Sequence, residues 1–96
     1  MRLALVLLAL AACGPAKEVR TVTFRPSGGP AGATVTIDDI FVGRLDTVGA
    51  RGVALPLGPH HLTVESAGFF PFDRVIEAKE GAGPLRLEVR LVPVPD

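Results

Sequence analysis

Beyond residue 20, apolar and polar positions alternate with a period of two. Val22 and Phe24 alternate with Thr21, Thr23 and Arg25, which predicts a strand with one buried face, ended by Pro26 and the Gly28-Gly29 loop. Ala33, Val35 and Ile37 alternate with Thr34, Thr36 and Asp38, and Ile40, Phe41 and Val42 follow Asp39. A two-residue turn at Asp38-Asp39 would set Ile37 opposite Ile40 and Val35 opposite Val42 on one face, with Thr36 opposite Phe41 on the other. The first of these faces reads as core. Val53, Leu55 and Leu57 before Gly58-Pro59, with Leu62 and Val64 after it, predict a second hairpin. Phe69-Phe70-Pro71-Phe72 forms an aromatic corner before a sixth strand around Arg74 to Ala78. Last, Leu85, Leu87, Val89 and Leu91 alternate strictly with Arg86, Glu88 and Arg90. Seven short strands in this length predict an all-β fold, a small β-sandwich.

The first twenty residues follow a different rule. Arg2 precedes an unbroken apolar run from Leu3 to Ala12, the length of a signal-peptide hydrophobic region and too short for the roughly 20 residues a bilayer span requires. Leu10-Ala11-Ala12-Cys13 resembles the bacterial lipobox, in which a cysteine after small residues is acylated and becomes the new N-terminus. The expectation is cleavage between Ala12 and Cys13, lipidation of Cys13, and export to the cell envelope with the lipid as membrane anchor. One acyl chain binds a membrane only marginally, so durable anchoring takes two or three. Gly14 stands where an aspartate would mark inner-membrane retention, which points to the outer membrane in an organism that has two. The predicted organisation is residues 1–12 as signal peptide, 13–20 as lipidated N-terminus and short spacer, 21–92 as the β-sandwich and 93–96 as a tail.

Composition sharpens this picture. The chain has 96 residues, with 11 glycines and 9 prolines, which suits short strands joined by tight turns rather than helices. Ten basic residues balance ten acidic ones, so neither a nucleic-acid footprint nor a polybasic membrane patch is present. The single cysteine excludes an intramolecular disulfide and a cysteine-based zinc site, which favours the lipidation that the lipobox resemblance implies over an ordinary signal peptide with an incidental cysteine.

Pro30-Ala31-Gly32-Ala33, the alternating strand to Asp38, Val42-Gly43, the segment Leu55 to Val64 with Gly58, His60 and Leu62, and Gly68-Phe69 together resemble the PEGA domain. The likeness spans roughly residues 21 to 92. It departs at Ala31, where glutamate is usual, at Asp39, where glycine is usual, and at Arg44-Leu45, where Thr-Pro is expected. The resemblance implies an immunoglobulin-like or prealbumin-like sandwich of bacterial envelope proteins with no activity attached to the domain itself.

Candidate chemistry is sparse. His60 and His61 are adjacent, so on a strand they point to opposite faces and do not converge on one metal ion; a structural role near the turn is expected for His60. Asp38-Asp39 lacks the further oxygen ligands of a calcium loop and reads as a turn. Ser27 and Ser66 lie in no nucleophile elbow. No catalytic residue, metal or cofactor is therefore assigned, and a non-enzymatic interaction or structural module is expected. Phe41, Phe70 and Phe72 are the candidate contact patch, for an envelope protein or cell-wall glycan. The plainer expectation is that a second sheet covers Phe41 while the corner phenylalanines plug the end of the sandwich.

Overall fold

A computed structural model describes residues 19–81 and 83–95. The expected signal peptide, the cleavage site at Ala12 and Cys13, the lipidation of Cys13 and most of the spacer lie outside the described residues. Among the described residues seven strands form: β1 (Thr21–Gly29), β2 (Thr34–Ile37), β3 (Ile40–Arg44), β4 (Val53–Pro56), β5 (Gly58–Glu65), β6 (Phe72–Ala78) and β7 (Leu85–Arg90), with one short helix, α1 (Leu45–Arg51), between β3 and β4. They make two sheets, ordered β4-β1-β7 and β3-β2-β5-β6. The all-β sandwich expected from the period-two pattern is the observed architecture. All pairings are antiparallel except β1 with β7, which is parallel.

The inner faces supply the core: Val22 and Phe24 of β1, Val35 and Ile37 of β2, Leu62 and Val64 of β5, Ile76 and Ala78 of β6, and Val89 of β7. Among the described residues no polar or charged side chain is fully buried, so the core itself is apolar and is stabilised by about 25 cal/mol per Å² removed from water.

Four local expectations are corrected. First, β1 does not end at Pro26 but continues to Gly29. The pairing with β4 stops at Phe24, and from there only β7 flanks β1. The Pro26 carbonyl faces the helix, so its imide nitrogen points away from β7 and no ladder bond is lost. Second, Val35 pairs with Gly43 rather than with Val42, because a bulge between Val35 and Thr36 takes Val42 out of register. Third, Gly58-Pro59 joins no hairpin. β4 pairs with β1 in one sheet and β5 with β2 and β6 in the other, so the chain changes sheets at Leu57, which is exposed rather than inward. Gly58, at φ 119°, permits that corner.

The fourth correction is α1, which no strand pattern anticipates. Its two buried residues, Leu45 and Val48, sit one turn apart on one face and close the core beside β1. The helix has no side-chain cap; the Leu45 and Asp46 amides instead donate to the carbonyls of Ala33 (2.7 Å) and Ala31 (3.0 Å), which satisfies two N–H groups that helix starts leave unpaired. At the other end Arg25 Nη1 donates to Gly49 O at 3.2 Å and Ala50 O at 2.7 Å. Pro30-Ala31-Gly32-Ala33 is thus a turn, closed by Ala33 N–H to Pro30 O at 3.0 Å, and it doubles as the docking site for α1.

Candidate functional site

The Asp38-Asp39 turn is the two-residue type that the hairpin register requires. Ile37 pairs with Ile40 and Thr36 with Phe41, and φ is 52° at Asp38 and 67° at Asp39. Two positive values make it the type I′ turn that asparagine and glycine favour. Asp38 holds its place by partners: its own N–H donates to His61 O at 2.8 Å, and its Oδ1 accepts from the His61 N–H at 2.9 Å. Asp39 has no such duty, so Asp39→Gly is expected to raise stability by up to about 1 kcal/mol by relieving the left-handed conformation. A melting temperature at or below that of the parent would refute this.

His60 is mostly buried and stands against this turn. Nδ1 lies 2.6 Å from Asp38 Oδ2, and Nε2 lies 2.6 Å from Pro56 O. Both partners are acceptors, so only the imidazolium, with two N–H donors, satisfies both. Asp38 belongs to one sheet and Pro56 to the end of β4 in the other, so His60 ties the two sheets at this end of the sandwich. The structural role expected for it is the one observed. Its neighbours Ile37, Ile40, Val42, Val53 and Leu55 line a cleft of about 220 Å³ between the edge strands β3 and β4.

Hydrogen bonding to the Asp38 carboxylate, and then to Pro56 O, raises the His60 pKa above its ordinary 6.5. The same bond from His60, followed by that from the His61 amide, lowers Asp38 below its ordinary 3.8. The His60 contribution is full below 6.5 and is lost as pH rises through the raised folded-state value; that of Asp38 is full above 3.8 and is lost as pH falls through the lowered one. Stability due to this pair therefore peaks between them, in weak acid. Thermal melts from pH 5 to pH 9 should show the parent losing stability relative to His60→Gln as the pH rises; parallel curves would refute the assignment.

His61 points the other way, to the outer face of the four-stranded sheet, where Nε2 contacts Asp73 Oδ1 and Thr63 Oγ1 lies 3.4 Å from the same oxygen. That face carries a row of side chains straight across all four strands: Phe41, Thr36, Thr63 and Asp73, each paired with the next. Among the described residues no second layer covers it. Phe41 is 64% exposed and Val75, opposite His61, is 67% exposed, so the expectation that a sheet would bury Phe41 is overturned. β3 is an edge strand, and both the core and the three-stranded sheet lie on the opposite face.

The three phenylalanines do not form one patch. Phe72 pairs with buried Val64, packs against the core, and is covered by the Arg74 guanidinium 4.6 Å from its ring centre. Phe70 is 49% exposed but stands in the loop after β5, at the end of the sheet remote from the Asp38-Asp39 turn, with its N–H bonded to Val92 O. Period-two parity could have separated Phe72 from Phe41, since Phe72 shares a face with Ile76 and Ala78. Asp73, Thr63 and Val75, by contrast, became visible as Phe41's neighbours only through the pairing of β2 with β5 and of β5 with β6.

No protein-family model matches the chain, and no protein of curated function matches it in sequence.

Proposed function

We propose that this chain is a lipid-anchored envelope protein whose β-sandwich acts as a non-enzymatic interaction module through the outer face of the four-stranded sheet. The observation that carries the reading is the row from Phe41 to Asp73: an exposed aromatic ring at one edge, two threonine side chains between, and an imidazole–carboxylate pair at the other. A flat apolar ring beside hydroxyl and carboxylate groups suits a partner that presents both apolar and hydrogen-bonding surface. The tether rests on Leu10-Ala11-Ala12-Cys13, and kinship with PEGA domains rests on the Pro30–Ala33 turn, the strand to Asp38, and Gly58 and His60 at the sheet-changing corner.

Cys13→Ala is expected to release the protein from the membrane fraction of the cells that make it; a variant that still sediments with membranes would end the tether reading. For the module, the same row favours a cell-wall glycan as one partner class, because sugar rings present an apolar face to aromatics and hydroxyls to carboxylates. Co-sedimentation with isolated cell wall should fall on Phe41→Ala and on Asp73→Ala. Retention of both variants would leave the glycan reading without support and favour a protein partner.

A further inference from the structure

A second concavity, on the opposite sheet, has a different chemistry. Arg25 of β1 and Arg86 of β7 are register partners in the parallel ladder, so their side chains stand side by side on the outer face of the three-stranded sheet. Both line a hollow of about 380 Å³ beside α1, with Ser27, Gly49 and Ala50. Like charges at neighbouring cross-strand positions repel, and this chain pairs several of its other arginines: Arg20 with Glu80, Arg44 with Asp46, Arg90 with Glu88. Among the described residues Arg25 is offered only the neutral carbonyls of Gly49 and Ala50, through Nη1. Arg86 has neither a hydrogen bond nor an ion pair among the described residues. The carboxylate that lines the hollow, Asp46, is engaged by Arg44 Nη2 at 3.1 Å and by the Thr47 N–H at 2.8 Å.

We infer that this hollow is a binding site for a phosphate group, free or esterified, held between Arg25 and Arg86. Nη1 is used on the helix carbonyls, which fixes the Arg25 plane and leaves its Nε and Nη2 donors for a ligand. Arg86 supplies a second fork from the adjacent strand, and the Ser27 hydroxyl, on the Arg25 face two residues on, supplies a neutral donor. Guanidinium forks bind phosphate oxygens in pairs. The bound anion would also remove the repulsion between the two arginines. The hollow has room for more than the anion, so an ester such as a lipid head group fits the same chemistry.

The test uses the full chain in neutral detergent, followed by thermal melting and by amide NMR. Inorganic phosphate should raise the melting temperature saturably, beyond the effect of sodium chloride at equal ionic strength, and should shift the amide signals of residues 25–28 and 86. Arg86→Gln should weaken the apparent affinity at least about tenfold, the loss of one charged fork, and should melt no lower than the parent in phosphate-free buffer. Dihexanoylphosphatidylglycerol against inorganic phosphate separates the sources: tighter binding of the lipid assigns the site to a head group, tighter binding of phosphate to the free ion. A stabilisation that does not saturate, that sodium chloride reproduces, or that Arg86→Gln leaves unchanged would overturn the site. So would a large drop in the melting temperature of Arg86→Gln without phosphate, because Arg86 would then serve the fold.

Discussion

Truncating Phe24 to alanine is expected to lower the free energy of unfolding by about 3–5 kcal/mol, the largest loss available to a single core position here. Phe24 is fully buried and sits on β1, the strand that both β4 and β7 pair with, at the point where the β4 ladder ends and the β7 ladder begins. The cost combines lost transfer energy with the cavity left between two sheets that cannot close far without breaking register. Small domains are stable by only about 0.05–0.15 kcal/mol per residue, so the loss removes a large share of the total stability. Urea titration of both proteins measures this, with Phe41→Ala as the internal control. Phe41 is the same residue type on the exposed face, and its truncation should change stability by no more than about 0.5 kcal/mol. Comparable losses at the two positions would mean that Phe41 is covered and that the proposed face is not open.

Gly28→Ala should be nearly as damaging for a different reason. A Cβ at this position would lie 2.0 Å from the carbonyl oxygen of Val89, its partner in the parallel ladder, and φ is +115°. The obstacle is backbone, not the end of a flexible side chain, so β1 and β7 would have to separate. Steric overpacking costs about 1–3 kcal/mol and the disfavoured backbone region about 1–2 kcal/mol more, which together predict a loss of about 3 kcal/mol. Gly81→Ala separates the two contributions: φ there is +89° with nothing within 4 Å, so only the conformational cost remains. If Gly81→Ala and Gly28→Ala shift the urea midpoint equally, the close approach of the strands carries no weight.

The strands were legible because each buries one face, and burial writes a period of two into β1, β2, β5 and β7. The Asp38-Asp39 turn was legible for the same reason, since only a two-residue connection keeps Ile37 and Ile40 opposed. What alternation cannot record is which strand lies beside which. Leu55 and Leu62 are both buried whether β4 and β5 pair or lie in different sheets, so the corner at Gly58 passed for a hairpin. The helix was missed because seven residues with two buried positions are too few to display a 3.6-residue period. Its signals were nonetheless written: Leu45 and Val48 three apart, Asp46 in the first turn, Arg51 in the last, Gly52 after it. The Phe41 row was half legible. Parity put Phe41 on the face opposite Ile37, but its exposure depends on the absence of a covering layer, a property of the assembled sandwich.

The bulge at Val42 also bears on self-association. A sandwich of two sheets has four edge strands, each with a row of unpaired backbone groups that could template pairing between copies. On β3 the bulge breaks the regular ladder that a neighbour would need to extend. β4 is only four residues long and ends in Pro56. β6 carries Asp73, Arg74 and Glu77, and β7 carries Arg86, Glu88 and Arg90, so each of these edges would bring charge against charge in a misaligned pair. The irregularity that displaced Val42 from its expected partner is thus one of four guards against aggregation by strand addition.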